Sequence, residues 1–322
     1  MDMISDQDAL TLAVVGKQDV ADGIVLFDFA RPDGGALPAF TAGAHLLLRT
    51  PAGLARRYSL CNAPAERHRY QVAIKREAKG GGGSISMIDN LAVGDTLQSA
   101  ASTNYFPLDS SAARHLLIAG GIGITPILAM ARQLLAEGAP FQLVYCARST
   151  EAAAFLDVLA GPEFAGHVLL HFDGGDPARA MDFAAFLATH PAGTHLYCCG
   201  PRPLMQAVRD ASRHWPHSAV HFEDFGTSAQ PNAAGEKPFR VRLARNNQVL
   251  IVPPGTSILD VLRGAGVEAP CSCEAGTCGA CRVGLLAGTA EHRDFVLDDD
   301  ELGSAIMICV SRALSEELTL DV

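Results

Sequence analysis

Short runs of alternating apolar and polar residues, separated by turn residues, fill the first third of the chain. Runs rich in β-branched and aromatic residues predict strands. The predicted strands are residues 10–15, 24–29, 45–50, 57–61 and 70–75, and the one predicted helix covers 84–90. Strands at this spacing, with so little helix between them, predict a small antiparallel β-barrel.

From residue 114 onward the pattern changes to a strand, a glycine turn and a helix, repeated. The predicted strands are 115–119, 141–146, 168–172 and 195–199, and the predicted helices are 126–137, 152–159 and 182–189. Buried strands that alternate with helices predict a doubly wound parallel sheet, an α/β architecture.

A polar stretch of small residues at 227–238 predicts a linker. Beyond it, residues 239–243 and 248–252 alternate as a β-hairpin, and 257–263 is predicted to be helical. The pattern therefore predicts a barrel domain over 1–110, an α/β domain over 111–226, the linker, and a third domain over 239–322.

Composition and charge limit the partners and the cellular compartment that we expect. The 322 residues carry a formal net charge of −10, which argues against nucleic acid and anionic membrane surfaces as partners. The acidic amino terminus lacks the apolar stretch of a signal peptide. Glycines and Pro126 break the longest apolar run, 115–131, so it is not expected to span a membrane. Nine cysteines in no disulfide-like pattern favour a reducing compartment, so we expect a cytoplasmic protein.

Cysteine spacing near the end of the chain carries the most specific chemistry. Cys273, Cys278 and Cys281 are spaced C-x4-C-x2-C, and Cys309 follows. Four thiolates in this order are the ligands of a plant-type [2Fe–2S] cluster. Gly276 and Gly279 would let the loop turn its backbone N–H groups toward the sulfurs. A zinc knuckle or unrelated buried thiols are the alternatives, but no second C-x2-C lies downstream. Cys271 breaks the spacing and is interpreted as a neighbour of the site.

The barrel contains a second motif. Residues 56–59 fit R-x-Y-S, which resembles the flavin signature of the ferredoxin reductase superfamily. Arg56 would bind a phosphate, Tyr58 would pack against the flavin, and Ser59 would hydrogen-bond near its N5. A glycine-rich segment, 79–84, runs into the predicted helix and suits an anion, although it also fits a flexible hairpin loop.

The α/β region contains a third motif, G-G-I-G-I-T-P, at residues 120–126. It lies between a buried strand and a helix, where glycines let a pyrophosphate approach the backbone, and Thr125 is predicted to cap the helix. The segment C-C-G-P at 198–201 closes a predicted strand at the carboxyl edge of the sheet, where such folds bind ligands. Phe225, near the end of the domain, fits a core position as well as a ligand contact.

In this order the motifs resemble one family, the phthalate dioxygenase reductases, which are similar to the vanillate demethylase reductases. The resemblance rests on R-x-Y-S, G-G-I-G-I-T-P, C-C-G-P-x-x-L-M, F-E-x-F-G and S-C-E-x-G-T-C-G-x-C, and it covers essentially the whole chain. It implies a flavin-binding β-barrel, a nicotinamide-nucleotide domain and a β-grasp ferredoxin domain.

The resemblance also implies site residues. FMN would be bound by Arg56, Tyr58 and Ser59, with Lys75, Gly83 and Ser84 beside the phosphate and ring. The residues expected to line the NADH site are Gly120, Gly121, Gly123, Thr125 and Pro126. Asp173 joins them by its position after a predicted strand. Ser59, Cys199 and Phe225 would form the catalytic contacts, with Cys199 near the nicotinamide and Phe225 over the flavin ring. Gly82 stands where relatives often carry a basic residue, so phosphate binding would depend more on backbone N–H groups.

The resemblance implies an electron-transfer enzyme. NADH would donate electrons through FMN and the [2Fe–2S] cluster to a terminal Rieske non-haem iron oxygenase, and the chain is expected to be a monomer. One alternative is the reductase of an aromatic O-demethylase, and another is a flavin and iron–sulfur redox sensor. Asp173 favours NADH, whereas Arg148 and Ser149 would accept the extra phosphate of NADPH.

The predicted third domain is acidic. Seven basic and twelve acidic residues between 239 and 322 give a net charge of −5. The acidic run 298–301 fits a solvated helix start equally well as a patch that steers a basic oxygenase surface.

Overall fold

The computed structural model describes residues 9–78, 81–225 and 235–322. The chain divides into two compact units, Met1–His221 and Phe222–Val322. The first unit contains a barrel and a parallel sheet, and the second contains a smaller mixed sheet. Among the described helices, none is both long and apolar enough to cross a membrane.

A seven-stranded antiparallel sheet forms the barrel in the order β4-β3-β6-β1-β2-β5, with β7 beside β3. Its elements are β1 (Leu10–Ala21), β2 (Ile24–Ala30), β3 (Ala44–Arg49), β4 (Ala55–Ser59), β5 (Tyr70–Lys75), α1 (Gly83–Asn90), β6 (Thr96–Ser99) and β7 (Thr103–Asn104). A bridge between Leu60 and Val72 joins the two edge strands and closes the barrel. Closure leaves inward-facing apolar side chains such as Phe27 and Leu46 fully buried.

A five-stranded sheet follows in the order β10-β9-β8-β11-β12. Its elements are β8 (Arg114–Gly120), α2 (Ile124–Glu137), β9 (Phe141–Ala147), α3 (Leu156–Leu159), β10 (Val168–Phe172), α4 (Phe183–Phe186), β11 (Thr194–Cys199), α5 (Arg202–Ala211) and β12 (Val220–Glu223). The pairs β10–β9, β9–β8 and β8–β11 are parallel. Because β9 and β10 lie on one side of β8 and β11 on the other, strand order reverses between β8 and β11.

The two sheets of the first unit share a core. Apolar residues of the barrel, such as Ile24 and Cys61, belong to one buried cluster with Ile127 and Met130 of α2. The Arg132 guanidinium on α2 donates to the Cys61 carbonyl at 2.6 Å. This packing fixes the barrel against the helix that follows the glycine turn.

The second unit is a mixed sheet in the order β14-β13-β19-β15-β17, with a small β16–β18 pair. Its elements are β13 (Phe239–Leu243), β14 (Val249–Val252), α6 (Ile258–Gly264), β15 (Arg282–Ala287), β16 (Ala290–Glu291), β17 (Ala305–Met307), β18 (Arg312–Ala313) and β19 (Glu317–Leu320). The β13–β14 hairpin is antiparallel, as predicted, while β13 and β19 are parallel. Ser257 caps α6 by accepting a hydrogen bond from the Asp260 N–H.

Three local predictions were wrong. The helix predicted over 152–159 covers only α3, because Phe155 has a φ of 64° that an α-helix cannot continue through. The helix predicted over 182–189 covers only α4, because Leu187, with a φ of −99° and a ψ of 9°, departs from helical geometry. Thr125 does not cap α2. A 3-10 turn at Gly121–Gly123 starts the helix earlier, and the Thr125 hydroxyl donates to the Ile122 carbonyl at 3.1 Å.

Candidate functional site

Backbone geometry in the second unit gathers the four predicted cysteine ligands. Gly276 and Gly279 have φ values of 73° and 79°, in the left-handed region that favours glycine. A Cβ at Gly276 would lie 2.7 Å from Val310 Cγ2, so only glycine lets the loop pack this closely on the segment that carries Cys309.

The four sulfurs lie in two pairs. Cys281 Sγ and Cys309 Sγ are 3.1 Å apart and buried. Cys273 and Cys278 form the other pair, in which the Cys273 N–H donates to Cys278 Sγ at 3.4 Å. The Ala275 N–H donates to Cys273 Sγ at 3.3 Å, as a loop that turns its amides toward sulfur requires.

This donor set fits a two-iron cluster. Each iron of a [2Fe–2S] cluster takes two protein ligands, so two pairs of thiolates match two irons. Interaction with Cys278 lowers the pKa of Cys273 to about 5, although burial opposes the shift. Interaction within the buried Cys281–Cys309 pair lowers the pKa of Cys281 and raises that of Cys309.

Cys271, the extra thiol, lies outside these pairs and is exposed. The Arg263 guanidinium on α6 donates to Cys271 Sγ and to Glu274 Oε1, each at 2.7 Å. Arg263 therefore links the helix before the loop to the start of the loop.

In the barrel, Arg56 and the glycine-rich segment lie together. The Arg56 guanidinium donates to the Gly81 carbonyl at 3.4 Å. A Cβ at Gly83 would lie 2.7 Å from Arg56 Cγ, so the glycine lets the arginine side chain lie against the first turn of α1. A cation beside the free N–H groups of a helix amino terminus forms an anion site. Lys79 and Gly80 lie outside the described residues.

The other predicted flavin residues flank this position. Tyr58 is half-buried on β4, and burial raises its pKa to about 12. Ser59 is buried at the end of β4, while Lys75 is exposed at the end of β5. The Ser84 hydroxyl oxygen accepts a hydrogen bond from the Glu77 N–H at 3.1 Å, which fixes the segment after β5 to α1.

The predicted nucleotide loops meet at the carboxyl ends of β8 and β11. Ala119 and Cys199 are register partners in these strands. A Cβ at Gly123 would overlap the Cys199 carbonyl oxygen, and one at Gly120 would lie 2.7 Å from Pro201 Cδ. The glycines therefore let the two loops touch at the reversal of strand order, where open α/β sheets bind ligands. Gly121 has a φ of 52°, and Thr125 and Pro126 are buried in the first turn of α2.

Asp173 directly follows β10, at the same edge of the sheet. Its carboxylate accepts a hydrogen bond from the Gly175 N–H at 2.7 Å, which closes a tight turn. The Gly174 N–H donates to the Arg148 carbonyl at 2.9 Å, so Asp173 and Arg148 lie on neighbouring strand ends. Phe225 belongs to the second unit and is 40% exposed, which excludes the core position that sequence allowed.

The pattern analysis did not predict α5, which begins beside the glycine turn. Leu204 Cδ1 would lie 3.0 Å from a Cβ at Gly120, so the helix helps to shape the loop. The signal was present, since Leu204, Met205 and Val208 have helical spacing and Pro201 precedes them.

Comparison with known proteins agrees with this architecture. Residues 241–314 match the family model of the 2Fe-2S iron-sulfur cluster binding domain. Residues 96–219 match the model of the N-terminal domain of dimethylamine monooxygenase subunit DmmA-like proteins.

Full-length relatives decide the family. The chain is 51% identical to the phthalate 4,5-dioxygenase oxygenase reductase subunit of Pseudomonas putida, over 96% of each chain. It is 43% identical to a vanillate O-demethylase oxidoreductase of Pseudomonas sp. (strain HR199 / DSM 7063), over 94% of this chain and 96% of that one. A solved structure of phthalate dioxygenase reductase, described as modular for electron transfer from pyridine nucleotides to [2Fe-2S], superposes with a TM-score of 0.72. It is 48% identical and covers 98% of this chain and 99% of that one. The chain belongs to the phthalate dioxygenase reductase family.

Family membership confirms the predicted resemblance, the fold class and the oxidoreductase class. These relatives are reductases by name, which favours the predicted reductase over a redox sensor. The individual flavin, nucleotide and cluster residues stay predictions. The four cysteines lie in the second unit with Phe225, and the other predicted site residues lie in the first.

Proposed function

We propose that this member of the phthalate dioxygenase reductase family is the reductase component of a Rieske-type aromatic-ring oxygenase. It would take electrons from NADH and deliver them singly to the oxygenase. One observation carries the proposal: a single chain combines two paired sets of cysteine thiols with a glycine turn at the reversal point of a parallel sheet. The first suits a one-electron centre, and the second suits a two-electron nucleotide donor.

FMN is the proposed link between these sites, because a flavin accepts electrons in pairs and releases them singly. Arg56 and the first turn of α1 would hold its phosphate, with Gly83 and Ser84 supplying backbone N–H groups. Tyr58 would pack on the ring, and buried Ser59 would donate to it. Lys75 stands at the exposed end of β5, where a cation would attract the phosphate.

The nucleotide is proposed to bind across the touching loops of β8 and β11. Gly120, Gly121 and Gly123 would admit its pyrophosphate to the backbone, with Thr125 and Pro126 behind them. Cys199 would contact the nicotinamide. Asp173 would accept from the ribose hydroxyls and repel a 2′-phosphate, which favours NADH. Phe225 would cover the flavin ring.

The proposed partner is a Rieske non-haem iron oxygenase, and the proposed state is a monomer in the cytoplasm. Two relatives support an oxygenase partner by name, while the vanillate O-demethylase oxidoreductase makes an O-demethylase the second candidate acceptor. None of the nine cysteines, all of which lie in the described residues, forms a disulfide, as a reducing compartment allows.

An anaerobic NADH titration of the purified protein, followed in the flavin and iron–sulfur absorption bands, tests the relay. Two electrons for FMN and one for the cluster require about 1.5 equivalents of NADH for full bleaching. Bleaching of the flavin band alone would show that the cluster is absent or disconnected, and the relay would have to be abandoned.

A Cys278→Ser variant checks the order of the sites. It is expected to lose reduction of a one-electron protein acceptor and to keep NADH oxidation by ferricyanide at the flavin. Equal loss of both activities would contradict the order in which nucleotide, flavin and cluster are placed. Cys271→Ser, which changes a thiol outside the two pairs, is the matched control and is expected to keep both activities.

A further inference from the structure

A cavity of about 380 Å³ opens at the amino-terminal ends of β8, β9 and β11. The first residues of these strands, Arg114, Phe141 and Thr194, line it. The nucleotide loops lie at the opposite ends of the same strands. Since β8 has seven residues and a strand rises about 3.3 Å per residue, roughly 20 Å separates the two ends. The cavity is therefore distinct from the proposed nucleotide site.

Two buried polar atoms belong to residues of the cavity wall and lack partners. Neither His115 Nδ1 nor Thr194 Oγ1 has a hydrogen-bond partner among the described residues. The two residues are only 5% and 3% exposed. Buried polar atoms are nearly always paired, so these two indicate a missing ligand group or water.

The wall also offers charge. Arg114 is exposed and has no carboxylate partner among the described residues, and a guanidinium stays protonated in proteins. None of the fourteen described residues that line the cavity is acidic. Burial lowers the pKa of His115, so its imidazole is neutral at pH 7 and can donate from one ring nitrogen. The guanidinium and the Thr194 hydroxyl are thus donors that lack an acceptor, whereas hydrogen bonds to the Pro140 and Asp109 backbone partly oppose the lowered pKa of His115.

Flat side chains make up much of the remaining wall. The rings of Phe141 and His167 are stacked, with centroids 4.4 Å apart and planes 11° from parallel. Trp215 is 6% exposed, and its indole N–H donates to the Leu187 carbonyl at 3.2 Å, which fixes the ring. Planar apolar walls suit an aromatic ring. A cavity of about 380 Å³ is at the small end of ligand sites and suits a single-ring molecule.

We propose that this cavity binds a small aromatic carboxylate, with the ring against Phe141 and Trp215 and the carboxylate at Arg114 and Thr194. The carboxylate supplies the acceptors that the wall lacks, and the ring fills the apolar part. The proposal does not depend on the proposed electron relay, because it concerns the other end of the sheet.

Trp215 provides a direct measurement, because it is the only tryptophan of the chain and it lines the cavity. Benzoate titrated into the full-length holoprotein is expected to change tryptophan fluorescence saturably. Arg114→Gln is expected to weaken binding about tenfold, since it removes a charge-assisted hydrogen bond. Arg245→Gln makes the same change at a surface arginine of the second unit and is expected to leave binding unchanged. Benzamide and cyclohexanecarboxylate, which lack the charge and the aromatic ring respectively, are expected to bind more weakly than benzoate.

Thr194→Val is a second probe that keeps the side-chain shape. It removes a buried hydroxyl that has no partner, so the holoprotein without benzoate is expected to stay folded, while benzoate binding weakens. The proposal is overturned if benzoate gives no saturable signal up to about 10 mM, a concentration that would detect even weak binding. It is also overturned if Arg114→Gln binds as tightly as the native protein, or if NADH displaces benzoate competitively.

Discussion

Gly123 shows how much of the nucleotide site depends on the absence of one side chain. It packs directly on the Cys199–Gly200 backbone, so the loops that end β8 and β11 can touch. Its neighbour Gly121 takes the left-handed conformation instead. The two glycines of this motif therefore have different roles. Gly123 permits the close approach of two loops, and Gly121 permits a left-handed turn.

Gly123→Ala is expected to separate the two loops. A new Cβ would overlap the Cys199 carbonyl oxygen and lie 2.8 Å from the Gly200 nitrogen. Overpacking of this kind typically costs about 1–3 kcal/mol, and the displaced backbone should raise the KM for NADH. Thermal unfolding and steady-state kinetics measure the two effects. Gly264→Ala is the control, because nothing lies within 4 Å of its Cβ at the end of α6, and stability should hold or rise slightly. Equal behaviour of both variants would contradict the packing argument.

His221 links protonation to the stability of the first unit. Its ring stacks on Tyr197 at 4.5 Å, and its Nε2 lies 3.1 Å from His195 Nδ1. Burial, then repulsion from His195, lowers the pKa of His221 to about 4, although Asp109 opposes the shift. Further histidines, His217 and His115, add to the repulsion.

The consequence is acid sensitivity over a defined range. A histidine in an unfolded chain has a pKa of about 6.5. Between pH 6.5 and 4, His221 is therefore protonated in the unfolded chain and neutral in the folded chain. Stability should therefore fall as pH drops through this range, by up to about 3 kcal/mol, and this contribution should level off below pH 4. His221→Phe keeps a stacked ring without the titration and is expected to flatten this part of the curve of melting temperature against pH. An unchanged slope would show that other groups cause the acid sensitivity.

At the scale of elements, the second unit depends on an ion-pair network that ties its first residues to the sheet. Glu236 Oε1 accepts from Arg293 at 2.8 Å, and Glu236 Oε2 lies 3.4 Å from Arg312. The side chains of Glu236 and Arg312 are only 6% and 4% exposed. Burial alone would raise the pKa of Glu236, but the Gly255 N–H and the two guanidinium groups outweigh it and lower the pKa.

Glu236→Gln is expected to destabilise the second unit by about 3 kcal/mol, because it leaves the buried Arg312 without its carboxylate, whereas Arg293 keeps its pair with Glu291. The melting transition of the iron–sulfur absorbance measures this change. Glu316→Gln is the matched control, since that carboxylate is 95% exposed and forms only a 3.9 Å pair with Arg240. The native protein should also lose this stabilisation as pH falls through the lowered pKa of Glu236, while the variant should not.

Local patterns predicted most strands and the cysteine loop, because both depend on residues close in sequence. β5 was predicted with its observed bounds. The prediction of α2 was wrong only at its first residue, because the 3-10 turn starts the helix earlier. Sheet order and the Glu236 network depend on residues far apart in the chain, which periodicity does not encode. Glu236 itself falls in the predicted linker, of which residues 227–234 lie outside the described residues. The cavity at the amino-terminal ends of β8, β9 and β11 could not be predicted from the sequence, because the pattern around His115 and Thr194 is that of ordinary strand residues.

At the scale of the whole molecule, the chain is acidic, and we predict that this charge attracts a positively charged surface of the partner. The chain carries a formal net charge of −10, and half of it, −5, lies in residues 239–322, before the cluster is counted. Asp298, Asp299 and Asp300 are exposed, whereas Glu301 accepts from Arg282 at 2.6 Å. Arg282 therefore partly neutralises one end of the acidic run, and the three aspartates are exposed to solvent.

Reduction of the partner oxygenase is expected to slow about tenfold as salt rises from low ionic strength to about 0.5 M, because screening removes electrostatic steering. Asp300→Lys should lower the rate at low salt and weaken its salt dependence. Glu316→Lys makes the same change in net charge at a fully exposed position outside the run, and it should have the smaller effect. Equal effects of the two variants would assign steering to net charge and not to the acidic run. Stopped-flow measurement of the reduction rate at several salt concentrations tests this prediction. Rates that do not depend on salt would exclude electrostatic steering, and association would then have to depend on apolar contact.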